Sequence, residues 1–100
     1  MSPTAERIQL RNPVAGKKGA RISHAQYVIA RRAALATLPT RAPGITLTAF
    51  RDKMAKRLLR AKGWDRSLSA PWYTMAVKLD LEARGEIKRT AGSPQRLTRA

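Results

Sequence analysis

Four cationic side chains occur at a spacing that suits the binding of phosphate groups. In the segment TAFRDKMAKRLLR, lysine and arginine recur three and four residues apart, which places them together on one flank of a helix. These residues are Lys53, Lys56, Arg57 and Arg60. Such side chains bind phosphate oxygens through charge-assisted hydrogen bonds. The spacing therefore predicts a basic stripe that contacts a nucleic-acid backbone, with a solvated charged surface as the alternative.

The charge of the whole chain points to the same partner. Its 100 residues include 21 Lys and Arg but only six Asp and Glu, which gives a formal net charge of +15. A surface of one sign repels itself unless an anionic partner or counterions lie close by. This composition favours nucleic acid as the partner, and we expect double-stranded DNA.

Other residue types argue against an enzyme. Asp80 and Glu82 point to different faces of a helix, so they do not form a general acid and base pair. The chain has no cysteine and only one histidine, His24, which gives too few ligands for a typical metal site. We therefore predict no catalytic residue, no metal and no cofactor. The sequence contains no apolar run long enough to cross a bilayer, which predicts a cytoplasmic, nucleoid-associated protein.

Three helices are predicted to position the cationic groups. Ser23 is a favourable N-cap for a first helix that ends at Pro39. Thr46 and Leu47 form a brief strand, and Thr48 caps a second helix that ends near Gly63. The core face of the second helix consists of Phe50, Met54, Leu58 and Ala61.

The third helix is predicted to begin at the N-cap Ser69 and to end at Gly85, with Pro71 in its first turn. Asp80 and Arg84 are four residues apart and are expected to pair along it. Its predicted core face holds Trp72, Ala76, Leu79 and Ala83, with Tyr73, Val77 and Leu81 beside them, and its predicted outer face holds Thr74, Lys78 and Glu82. Trp64 is expected to cover one end of the core.

Residues 86–90 and 95–99 flank the turn-forming segment AGSP and are predicted to form a hairpin. Ile87 and Leu97 point inward, whereas Lys88, Arg96 and Thr98 point to water. The resulting fold class is α+β, mainly α: a winged helix-turn-helix with three helices and a C-terminal β-hairpin wing. Residues 23–100 form this domain, and residues 1–22 form a basic, flexible arm.

The segment WYTMAVKLDLEARGEIKR followed by SPQRL resembles the C-terminal signature of a family of small, functionally uncharacterised bacterial winged-helix proteins. The resemblance extends upstream through NP, YVIARRAALATLP and GITL, so it covers most of the chain. It implies the winged-helix fold but no target. A weaker likeness is to MarR-type regulators, in which a leucine, a glutamate and a glycine end the recognition helix as Leu81, Glu82 and Gly85 do here.

The third helix is the predicted reading element, because the recognition helix of a docked winged helix enters the major groove of DNA. The predicted base-reading residues are Thr74, Lys78 and Tyr73. Phosphate contacts are predicted for the stripe of the second helix, for the wing residues Lys88, Arg89, Arg96 and Arg99, and for the arm residues Arg7, Arg11, Lys17, Lys18 and Arg21. The arm either tracks a groove or acts as a solubilising tail.

The expected function is that of a small DNA-binding protein, either a transcriptional regulator or a nucleoid-associated factor. Two alternatives remain open at the level of the sequence. One is association with RNA or the ribosome, and the other is a winged-helix module that binds an acidic protein. No heptad dedicated to dimerisation is apparent, so a monomer is expected.

Overall fold

A computed structural model describes residues 6–90 and 92–100. The elements follow the order ββαβααββ, which confirms an α+β chain with three helices. Their bounds are β1 Arg7–Arg11, β2 Lys18–Ser23, α1 His24–Thr37, β3 Ile45–Thr46, α2 Leu47–Arg60, α3 Ala70–Ala83, β4 Ile87–Arg89 and β5 Arg96–Arg99. None of the helices in the described ranges is long and apolar enough to span a membrane.

Each helix begins at a hydroxyl side chain that accepts a hydrogen bond from a backbone N–H of the first turn. Ser23 caps α1 and Ser69 caps α3, as predicted. Thr46 caps α2, so this helix starts two residues earlier than predicted and β3 covers Ile45–Thr46. Gly85 adopts φ +78° after α3, which confirms the predicted helix end.

The three helices pack against one another in pairs around a common core. The largest side chains in it are fully buried and include Phe50, Met54 and Leu58 of α2, which confirms the predicted inner face of that helix. Val77 and Leu81 of α3 belong to the same core cluster. Trp64 is 6% exposed and closes the core, as expected.

The segment 1–22, for which we predicted a basic and flexible arm, contains two strands where the structure describes it. β1 and β2 form an antiparallel hairpin that packs against α3. Leu10 is 1% exposed and Ile22 is 4% exposed, so the hairpin adds two side chains to the core. Burial of these two side chains offsets part of the entropy cost of ordering the segment. The polar composition of the segment does not indicate that these two residues are buried. Residues 1–5 lie outside the described residues.

The C-terminal hairpin is present, but it belongs to a larger sheet than predicted. β5 pairs with β4 on one side and with β3 on the other, which gives the order β3-β5-β4. Ile87 and Leu97 are buried as predicted, whereas Thr98 is also buried and not directed to water. The close approach of the loop before β3 requires Gly44, because a Cβ there would lie 2.6 Å from the Leu97 carbonyl oxygen.

The exposure of α3 differs from the prediction, although Tyr73, Val77 and Leu81 are buried as expected. Trp72 is 47% exposed, whereas Thr74 is 1% exposed and Lys78 is 4% exposed. The helix is apolar on most sides, so its apolar pattern alone does not select the inward face. Lys78 forms an ion pair with Glu82 one turn later, and this pairing lowers the cost of burying its charge.

Asp80 is a fully buried carboxylate that joins three elements. It accepts a hydrogen bond of 2.7 Å from the Tyr27 hydroxyl of α1 and one of 2.8 Å from the Arg11 backbone N–H of β1. Arg84 donates to both carboxylate oxygens at 3.0 and 2.9 Å, which confirms the predicted pair on α3. These donors satisfy a charge that would otherwise be costly to bury.

Replacement of Asp80 by alanine is expected to lower the free energy of unfolding by about 2–4 kcal/mol, because it leaves the buried Tyr27 hydroxyl and Arg11 N–H without their acceptor. Chemical denaturation measures the loss. Asp52→Ala is the matched control, since Asp52 is an exposed carboxylate on α2 and its removal should change stability by less than about 0.5 kcal/mol. Equal effects of the two substitutions would contradict the role assigned to Asp80.

Burial and the hydrogen bond to Asp80 raise the pKa of Tyr27 to about 12 from 10.0. Because the folded-state pKa is the higher one, the stabilising contribution is complete below pH 10 and is lost as the pH rises towards 12. We expect the wild type to lose about 2–3 kcal/mol through this group over that interval. The free energy of unfolding should be measured for wild type and Tyr27→Phe at each pH of this interval. The difference between the two proteins should shrink as the pH rises, and a constant difference would contradict the raised pKa.

Candidate nucleic-acid interface

An open groove runs between α1 and α2 on the surface of the bundle, with a volume of about 670 Å³. Its lining combines six cationic side chains with small or aliphatic ones. The cations are Arg32, Lys53, Lys56, Arg57, Arg60 and Lys62, and the apolar part consists of Ile29, Ala33, Ala36 and Ala61. We call this feature the basic groove.

The local sequence explains why the cations of α2 meet at the groove. Phe50, Met54 and Leu58 recur every four residues and fix the inward face of the helix. Lys53 and Arg57 lie directly beside this face, on the flank towards α1, and the next turn repeats the placement. The structure therefore brings together all four members of the predicted stripe.

The electrostatic character of the groove is uniform. Among the residues that the structure describes, no carboxylate lines it and none of its six cations belongs to an ion pair. The small side chains of the floor, such as Ala33 and Ala36, leave room for a ligand between the two helices. A cleft with charge of one sign and low-dielectric walls concentrates the field and attracts anions.

Two cations of the groove were not among the residues predicted to bind phosphate. Arg32 lies on α1, whose polar residues do not form a clear stripe, and Lys62 follows the end of α2. The pairing of α1 with α2 was needed to place Arg32 opposite the stripe of α2. The adjacent residues of the segment ARRAAL differ in orientation: Arg31 pairs with Glu86 whereas Arg32 turns to the groove. This ion pair raises the pKa of the Arg31 guanidinium.

The cations of the C-terminal sheet, predicted to bind phosphate, are largely engaged within the fold. Arg89 forms an ion pair with Glu82 at 2.7 Å. Arg99 donates to the Leu35 carbonyl at 2.7 Å, and Arg96 donates to the Gly44 carbonyl at 3.4 Å. Lys88 is exposed. The sheet therefore offers fewer available cations than its sequence suggests.

The five cations predicted for the arm are exposed on the N-terminal hairpin and its turn: Arg7, Arg11, Lys17, Lys18 and Arg21. Among the lining residues described, none of the five borders the basic groove. They form a second cationic surface on the paired strands β1 and β2 and the turn between them.

The predicted base-reading surface is not available in this structure. Thr74 and Lys78 are buried, at 1% and 4% exposure, so the prediction that they face outward is wrong. Tyr73, predicted beside the core face, is also buried, at 8% exposure. Tyr73 packs edge-on between Trp64 and Trp72 with ring centroids 5.1 Å from each. The Thr74 hydroxyl finds no hydrogen-bond partner within the described part of the chain. The packing of α3 against the rest of the fold therefore buries its polar side.

Residues that could hold a metal do not converge in the ranges described, where no group of three His, Cys, Asp or Glu side chains occurs. The chemistry of the basic groove is therefore the attraction of anions by its lysine and arginine side chains.

The chain belongs to a family of unknown function (DUF6958), whose family model matches residues 7–97. No curated protein and no solved structure is significantly similar to it. The family assignment spans the N-terminal hairpin as well as the three helices, so the hairpin lies within the family's domain.

The substitution Thr74→Val distinguishes a packing role from base reading. Valine has nearly the same shape and removes a buried hydroxyl without a partner, so the free energy of unfolding should rise by about 1 kcal/mol. Affinity for duplex DNA should stay within about twofold of wild type. Denaturation and fluorescence anisotropy measure the two quantities. A tenfold loss of DNA affinity with unchanged stability would restore Thr74 as a reading residue.

Proposed function

We propose that this member of the family binds duplex DNA through the phosphate backbone, with one strand seated in the basic groove. The observation that carries the proposal is the convergence of six lysine and arginine side chains on a groove without a described carboxylate. Phosphate contacts supply most of the affinity of sequence-independent DNA binding.

The dimensions of α2 suit this partner. Lys53 and Arg60 are seven residues apart, which corresponds to about 10 Å along the helix axis. This length covers about three base-pair steps of B-DNA at 3.4 Å. The cations of α2 therefore lie close enough together to contact neighbouring phosphates of one strand. Arg32 of α1 faces the same strand from the other rim of the groove, and Lys62 follows the end of α2.

Duplex DNA is favoured over structured RNA because the groove lies beside an exposed helix face. A helix about 10–12 Å wide fits the major groove of B-DNA, which is about 12 Å wide. The major groove of A-form RNA is too deep and narrow for such a helix. With the strand seated between α1 and α2, the exposed face of α2 enters the major groove.

We infer a winged-helix arrangement that docks on DNA through other helices than the predicted α3. Three helices with a short strand before α2 and a hairpin after α3 support that arrangement. The docking elements are α1 and α2, because α3 directs its polar side inward. Lysine and arginine on α2 mainly contact phosphates, so sequence preference is modest and a nucleoid-associated role is favoured over that of a specific regulator.

A charge-deletion experiment tests this proposal. Six neutralised phosphates correspond to a slope of about −5 in a plot of log affinity against log salt. The double variant Lys53→Ala/Arg57→Ala should reduce the slope by about 2 and weaken binding more than tenfold, because two of these contacts are lost. Anisotropy titrations of a random-sequence duplex between about 50 and 200 mM salt provide both values.

The matched control is Lys17→Ala/Lys18→Ala, which removes the same charge from the exposed hairpin turn. At physiological salt the screening length is about 8 Å, so charges outside the groove should contribute only a few-fold. Equal losses in the two double variants would mean that the groove is not the binding site. Tighter binding of structured RNA than of duplex DNA at equal salt would contradict the choice of DNA.

A further inference from the structure

α3 presents an apolar stripe to solvent. Trp72, Ala76, Leu79 and Ala83 follow one another at intervals of four, three and four residues, the spacing of a two-heptad seam. Trp72 is 47% exposed and the other three are partly exposed. Trp72 is the largest apolar side chain that α3 exposes, whereas the adjacent Tyr73 is buried.

The stripe is uncharged, although the chain carries a net charge of +15. The charged residues of α3 lie elsewhere: Lys78 and Asp80 are buried, and the Glu82 side chain is 6% exposed in its pairs with Lys78 and Arg89. Two strongly basic copies repel each other wherever their lysine and arginine side chains face each other. No lysine or arginine of α3 faces a second copy across the uncharged stripe, so repulsion between the two helices themselves is low there.

Side-chain sizes along the stripe complement one another under a two-fold axis. If two α3 helices pack antiparallel about a point between residues 77 and 78, Trp72 of one copy lies opposite Ala83 of the other. The same operation sets Ala76 opposite Leu79. Each large side chain then meets a small one, which is how facing helices interdigitate without voids or overlap.

We propose that the stripe is the interface of a two-fold homodimer in which the α3 helices pack antiparallel. A 14-residue helix is about 21 Å long, so this contact is smaller than a standard interface. The dimer is therefore a weak one, with a dissociation constant of about 1–100 µM. This proposal differs from the sequence-based expectation of a monomer, which assigned the same stripe to the core and found no heptad dedicated to dimerisation.

The proposed contact does not use the residues of the basic groove. Each helix packs on the other two, and no described residue of α3 lines the groove between α1 and α2. The stripe and the groove thus share no residue. If the groove binds duplex DNA as proposed above, a dimer can hold two duplex segments at once.

Sedimentation equilibrium of nuclease-treated protein tests the interface without nucleic acid, so its outcome is independent of DNA binding. At about 0.5 M salt, where charge repulsion is screened, the wild type should form dimers between about 1 and 500 µM. Leu79→Glu should raise the dissociation constant at least tenfold, because it puts a carboxylate in the stripe. The control Leu59→Glu changes a residue of α2 that is 48% exposed and should shift the constant by less than about twofold.

A size swap tests the antiparallel register. Trp72→Ala should weaken the dimer about tenfold, and Trp72→Ala/Ala83→Trp should return it to within about fivefold of wild type, because the large and small residues exchange places across the axis. Circular dichroism verifies that each variant is folded. The proposal is overturned by a wild type that stays monomeric, by equal effects of Leu79→Glu and Leu59→Glu, or by a swap that gives no recovery.

Discussion

The arrangement of the molecule depends on the burial of one carboxylate, that of Asp80. A charge with no exposure to water is tolerated only when its oxygens are saturated with donors. Here the donors come from Tyr27, Arg84 and the backbone of Arg11, so the requirement holds α1, α3 and the N-terminal hairpin in one relation. The Arg84 guanidinium also lies 5.7 Å from the centre of the Tyr27 ring, which adds a cation–π contact to the cluster.

The orientation of α3 has consequences for the whole surface. Because Asp80, Lys78 and Thr74 face inward, the helix turns Trp72 and Leu79 outward. An interface that reads bases through α3 is thereby replaced by an apolar stripe, and the available cations are concentrated on α1 and α2 and on the N-terminal hairpin. The orientation of α3 thus underlies both proposals, in which DNA binds in the basic groove and a second copy binds on α3.

The sequence predicted the parts of the fold that local rules determine. Hydroxyl caps such as Ser23 and Ser69 and the left-handed Gly85 mark helix ends through backbone hydrogen bonds and sterics, which act within a few residues. The stripe of α2 was predictable because its apolar and cationic residues occupy separate faces. By contrast, α3 has apolar residues on several sides, so periodicity could not select the face, and only long-range donors such as Tyr27 determine it. The N-terminal hairpin was missed for a related reason, because its burial rests on Leu10 and Ile22 within a polar segment.

We propose that DNA occupies the groove between α1 and α2 and not the outer face of α3. Two-dimensional NMR of ¹⁵N-labelled protein titrated with a short duplex tests it most directly, residue by residue. We predict that the indole signal of Trp72 stays in place on binding. The amide signals that we expect to shift are those of Arg32, Lys53, Lys56, Arg57, Arg60 and Lys62. Shifts concentrated at Trp72 and along α3, with the groove signals unchanged, would contradict it.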